Sequence, residues 1–200
     1  MVTKSSSAMG RAAVGAMLAA VLLAGAPSTG SAGVILQDTS NSNHQINAFE
    51  QIGQTFTAID PHVLAALYYE CINCGSVNND NVRVNFHAGA GVGGSLLASD
   101  TFPLATGFSG FRDSDFTAVT LTVGNVYTFA AQIVGDDVYW GLLSNFNDVY
   151  AGGQRILSNA LTSGDMRFRV TGVDVPEPAT LTLLGLALAG LAYRRRRARA

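Results

Sequence analysis

An antiparallel β-sandwich over residues 33–174 is the fold class this sequence predicts, and three observations carry the prediction. Short runs in which apolar and polar residues alternate recur along the middle of the chain. Clusters of Gly, Asn and Asp separate them at short intervals, as turns separate the strands of a sandwich. The 48% hydrophobic and 13% charged residues are averages over three unlike segments, so the apolar ends do not describe the middle. A length of 200 residues leaves room for one ordinary domain between those ends and excludes a multidomain enzyme.

The strands follow in order. Residues 54–57 and 63–69 are the first two. Val82, Val84 and Phe86 then alternate with Arg83, Asn85 and His87, giving one buried and one wet face. Segment 116–123 sets Val119, Leu121 and Val123 against Thr120 and Thr122. Segment 126–134 follows after Gly124 and Asn125, a pair that reads as a tight hairpin turn. Residues 137–142 and 166–171 complete the set. Roughly seven to nine strands of this kind leave little room for helix and suffice to bury one core.

The predicted domain carries five Arg, no Lys and thirteen Asp or Glu, a net charge of −8. A nucleic-acid partner needs a basic footprint, which this balance excludes.

The N-terminal segment has the three-part layout of a secretory signal peptide over residues 1–32: Lys4 and Arg11, an apolar run from Ala12 to Ala26, then small residues. Ala24 and Ala26 satisfy a small-x-small cleavage rule, but Pro27 would hinder cutting there. Gly30, Ser31 and Ala32 are the preferred site, with Ala32 the last residue removed. A retained membrane helix fits less well, because a 15-residue run spans only about 22 Å of a ~30 Å hydrocarbon core.

The C-terminal segment, 175–200, begins with Pro176, Glu177 and Pro178, continues with an apolar run over 179–193 and ends in a basic tail over 194–200. The prolines hold the tripeptide extended and outside any helix. Arg194, Arg195, Arg196, Arg197 and Arg199 favour the cytoplasmic side, which directs the domain outside the inner membrane. The run is short for a single transmembrane helix, so the Arg stems must snorkel. This ordered triple is similar to the PEP-CTERM sorting signal. The resemblance implies export in a Gram-negative bacterium that makes extracellular polysaccharide, transient anchoring in the inner membrane, and cutting near the tripeptide by a membrane peptidase called exosortase.

A second resemblance covers most of the middle segment. Ile52 to Phe56, Val82 to Gly89, Gly93 to Leu97, Leu121 to Tyr127 and Tyr150 to Gly153 succeed one another as in jelly-roll modules of bacterial surface proteins, which also end on strands like Asp165 to Val170. It implies a jelly-roll-like sandwich used for adhesion or carbohydrate contact, but its motifs mark turns and strands rather than a site.

Candidate chemistry is sparse. Cys71 and Cys74 suit a disulfide in an exported protein, closing a short loop for about 2 kcal/mol. A redox pair would need a helix N-terminus in a βαβ setting, and zinc would need further ligands; neither pattern is present. Asp113 with Asp115, and Asp136 with Asp137, offer oxygens that suit Ca²⁺, although such residues are also ordinary turn formers. The same acids could in principle form a glycosidase pair, but a sequence does not show the carboxylate separation that hydrolysis requires. Trp140 and Tyr139 are adjacent on one predicted strand, so one faces the core and the other faces out. An outward aromatic there, with Tyr150 and the Gly152–Gly153 loop, would offer a sugar ring a stacking surface; a core Trp140 is the alternative. Ser109 lacks the spacing of a nucleophile elbow, and the Gly89 to Gly94 run reads as a hairpin loop. No catalytic constellation emerges. The expected function is a non-enzymatic surface or matrix protein that contacts extracellular polysaccharide, against an exported glycan-processing enzyme or a calcium-dependent adhesin.

Overall fold

The computed structural model describes residues 32–71, 80–135 and 140–174, together with seven isolated helical positions between 185 and 195. Among the described residues thirteen strands run in chain order: β1 (Val34–Gln37), β2 (Ser42–Gln45), β3 (Ile52–Thr57), β4 (Val63–Cys71), β5 (Asp80–Ala88), β6 (Leu96–Leu104), β7 (Ser109–Asp115), β8 (Val126–Val134), β9 (Trp140–Asn145), β10 (Arg155–Leu157), β11 (Ala160–Thr162), β12 (Asp165–Met166) and β13 (Phe168–Gly172). They form two antiparallel sheets in a sandwich-like arrangement. One has six strands in the order β11-β10-β3-β8-β5-β6; the other has seven, β1-β13-β4-β9-β12, with β2 added on β9 and β7 on β4.

Strand β4 organises the seven-stranded sheet. Its residues Leu64 to Glu70 pair with β7, while Val63 to Leu67 pair with β13 and Tyr69 to Cys71 with β9. The second edge of β4 is therefore shared, and Arg167, between β12 and β13, is the crossing point. Its N–H donates to Leu143 O at 2.8 Å and its carbonyl accepts from Tyr68 N–H at 3.0 Å.

Period-two alternation explains why these segments are strands. Val63, Ala65, Leu67 and Tyr69 of β4, Val82, Val84 and Phe86 of β5, and Tyr127, Phe129, Ala131 and Ile133 of β8 all point into one core. Aromatic rings fill its centre. Phe86 stacks on Phe116 at 4.5 Å between centroids and meets Phe56 at 6.2 Å, and Phe56 meets Phe129 edge-on at 5.7 Å.

Segment 116–123 is not a strand, which corrects the sequence expectation. Phe116 and Leu121 are buried, yet they anchor a loop rather than alternate along a sheet. Leu121 N–H donates to Pro61 O at 2.7 Å, and Asn125 N–H closes a turn on Thr122 O at 3.1 Å. Gly124 takes φ +88°, the third-position geometry of a type II turn, and bonds back to Ala58. The Gly124–Asn125 pair thus docks on the end of β3 instead of joining two paired strands.

The Gly89 to Gly94 run does form the β5–β6 hairpin loop, with Ala88 N–H bonded to Ser95 O at 2.9 Å. The signal segment and residues 136–139 lie outside the described residues. Among the described residues no helix is long and apolar enough to cross a membrane.

Candidate functional site

The outer face of the seven-stranded sheet carries a mixed aromatic and charged surface. Alternation sends Tyr68 of β4 outward while its neighbour Tyr69 is fully buried, and the register sets Tyr68 opposite Phe111 of β7. Both rings are partly exposed and meet edge to face, with centroids 5.2 Å apart. Tyr68 Oη lies 3.1 Å from Ser109 Oγ.

Two arginines brace the rings. The Arg167 guanidinium lies 3.8 Å from the Tyr68 ring centroid and 5.6 Å from that of Phe111, and Arg169 lies 5.2 Å from Phe111. Each is held by an acid. Arg167 Nε donates to Asp38 Oδ1 at 2.6 Å, and Arg169 Nη2 donates to both oxygens of Asp113 at 2.8 Å. Beyond them Asn43 Nδ2 donates to Glu70 Oε2 at 3.1 Å. The face thus presents two ring systems fixed among carboxylate, guanidinium, amide and hydroxyl groups, with its cations already neutralised.

The outer face of the six-stranded sheet carries a group of hydrogen-bonded polar side chains. Asn85 Nδ2 donates to Gln51 Oε1 at 3.1 Å and to Gln132 Oε1 at 3.4 Å. His87 Nδ1 bonds to Gly94 O at 3.1 Å, and its buried Nε2 has no partner. The hairpin loop folds onto this face through Thr128, whose hydroxyl accepts from Gly91 N–H and donates to Gly89 O, both at 2.8 Å.

A third polar group is internal. Asp165 is fully buried; its Oδ2 accepts from Val149 and Tyr150 N–H at 2.7 Å each, and Oδ1 accepts from Gln54 Nε2 at 2.9 Å. Burial pushes its carboxyl above the usual aspartate range against these donors. Gln54 Oε1 in turn accepts Met166 N–H at 2.8 Å, so one side chain of β3 ties the two sheets together. This network is satisfied and closed to solvent, which makes it a brace rather than a reaction centre.

The sequence-predicted aromatic surface needs correction. Trp140 is 3% exposed and belongs to the core, so it offers no face to a sugar. Tyr150 is partly buried against Phe168 at 5.2 Å, with its hydroxyl accepting Thr57 N–H at 3.2 Å. The Gly152–Gly153 loop packs on it, since a Cβ on Gly152 would strike the Tyr150 ring. Tyr139 lies outside the described residues. The outward pair is Tyr68 and Phe111 instead. Alternation through Tyr68–Tyr69 could have identified the first, but Phe111 sits in a strand too polar to be recognised.

Of the acids, Asp113 is engaged by Arg169, and Asp115 Oδ1 accepts from Thr117 Oγ1 and N–H at 2.6 and 2.9 Å. These Thr117 bonds, the hydroxyl foremost, hold the Asp115 carboxyl below its ordinary range. Asp136, Asp137, Cys74 and the side chain of Cys71 lie outside the described residues. Among the described residues no three acids, His or Cys are grouped as a metal site.

The decisive comparison concerns the chain's end. Residues 174–197 are a PEP-CTERM protein-sorting motif. The PEP-CTERM match covers Pro176, Glu177, Pro178 and the arginines Arg194 to Arg197, and stops short of Arg199. It supports exosortase-dependent sorting of an exported protein, with a membrane-anchored C-terminal signal. No curated protein matches this sequence. The tripeptide lies outside the described residues, as do Arg196, Arg197 and Arg199; Arg194 and Arg195 are exposed helical positions.

Proposed function

We propose that this PEP-CTERM protein is exported through the inner membrane with its signal peptide cut after Ala32. The C-terminal helix holds it there, with the Arg tail cytoplasmic, until exosortase processes the tail. The mature domain then serves at the outer surface or in the extracellular matrix of a Gram-negative bacterium. There it acts without catalysis, as a jelly-roll-like module that contacts matrix polysaccharide.

The observation that carries this reading is the outward pair Tyr68 and Phe111 on adjacent strands, braced by Arg167 and Arg169. Rigid rings with polar neighbours suit a sugar, which has an apolar ring face and a rim of hydroxyls. The net charge of −8 and the neutralised arginines disfavour an acidic polymer, so the fitting glycan is a neutral one.

Retention tests the reading directly. A binder is held by purified matrix polysaccharide and leaves it intact, whereas release of reducing ends would establish a glycan-processing enzyme. Loss of retention on chelation would establish a calcium-dependent adhesin.

A further inference from the structure

We propose that Asp60 is a binding site for the chain's own α-ammonium group, formed when the signal peptide is cut after Ala32, and that this ion pair fastens β1 to the sandwich. The proposal rests on the cleavage position read from the sequence and adds to it a receptor for the new terminus.

Gly33, the residue that cleavage would expose, donates its backbone N–H to Asp60 Oδ2 at 2.8 Å. Its carbonyl accepts Gly172 N–H at 2.7 Å, one step before the β1–β13 ladder begins at Val34 and Thr171. Both glycines leave room for the Asp60 carboxylate. A Cβ on Gly172 would collide with the Asp60 carboxylate, and one on Gly33 would fall 2.7 Å from Ile59 Cδ1 and 2.8 Å from Asp60 Oδ2. The carboxylate is therefore seated against the two backbones where the strands meet. Among the described residues the side-chain ion pairs are Arg167 with Asp38 and Arg169 with Asp113, and neither cation serves Asp60.

Cleavage changes the chemistry at this contact without requiring movement. One neutral amide N–H becomes an ammonium with three, and a charge-assisted bond to carboxylate is roughly twice as strong as a neutral one. The gain matters because β1 is an edge strand, paired only with β13. Val34 and Leu36 are 57% and 55% exposed, and Ile35 alone of its apolar residues packs against the core. Terminal strands of this kind fray first. The other titratable groups on the flanking elements are His62, whose Nδ1 bonds to Thr117 O at 2.8 Å, Asp115 on β7 and Asp174 just past β13.

The composition supplies an unusually clean test. Lys4 is the only lysine in the chain and lies in the segment removed, so the α-amine is the single primary amine of the mature protein. Processed protein is recovered from the cell envelope, its mass fixes the N-terminus, and its acetylation rate by an amine-reactive ester is followed against pH. Wild type should acetylate about tenfold more slowly at pH 7 than Asp60→Asn, as a rise of ~1 unit in the amine pKa requires. Wild type in denaturing urea should lose this protection, which gives a reference even if Asp60→Asn folds poorly. A Gly33 terminus with no protection in the folded wild type would overturn the ion pair and leave the processing intact. A terminus other than Gly33 would overturn the processing position and the proposal together.

Discussion

Arg169 reaches across β4 to Asp113, placing Nη2 2.8 Å from both carboxylate oxygens, and the residue between them in the register is the fully buried Ala66. The pair roofs a small outward residue and holds Arg169 beside Phe111. Its side chains are 34% and 40% exposed, so solvent screens it and its contribution to stability is small, on the order of 1 kcal/mol or less. A double-mutant cycle of Arg169→Ala and Asp113→Ala, read by urea denaturation, should give a coupling in that range. A larger value would make the face a stability element rather than a surface organised for contact.

Phe86 is the ring on which the core turns, stacked on Phe116 at 4.5 Å and next to Phe56 at 6.2 Å. Phe86→Ala should cost about 3–5 kcal/mol through lost transfer energy and an unfilled cavity. The urea midpoint of the variant measures this.

Asp165 accepts three N–H groups inside the sandwich. Asp165→Asn turns one acceptor into a donor facing donors, so it should cost about 1–3 kcal/mol at neutral pH, read from the urea midpoint. Because burial raises this carboxyl above its unfolded value, the folded domain takes up the proton more readily. The resulting stability is complete below the unfolded pKa and is lost as pH rises through the folded one. Stability of Asp165→Asn should lack that component across the acid range.

The sorting motif predicts distinct phenotypes for its parts. Replacing Pro176 and Glu177 by Ala should block maturation without blocking export, because two prolines favour a stiff segment that a membrane peptidase can grip. Replacing Arg194 to Arg197 by Gln should weaken retention at the inner membrane. Mature mass with and without exosortase reads the first, and fractionation of the envelope the second.

The core strands β4, β5 and β8 were legible because each buries one face, so alternation in sequence mirrors alternation in space. Strand β7, with Ser109, Arg112, Asp113, Ser114 and Asp115 around Phe111, carries no such signal because its partners rather than its composition define it. Segment 116–123 misled in the opposite sense: Val and Thr alternate there, but Phe116, Val119 and Leu121 anchor a loop on the core. The aromatic surface was displaced for the same reason. A lone Trp draws attention in sequence, whereas the contact face depends on which of Tyr68 and Tyr69 points outward and on a cross-strand neighbour 43 residues away.

Binding of neutral matrix polysaccharide by the mature domain, on the Tyr68–Phe111 face, is a proposal. Its most direct test is retention of the processed protein on a column of purified matrix polysaccharide, comparing wild type with Tyr68→Ala, Phe111→Ala and the double variant. Both rings face outward, so the variants should stay folded by circular dichroism. The account predicts that retention falls in each single variant and is lost in the double one, with no reducing ends released. Equal retention of wild type and the folded double variant would contradict it.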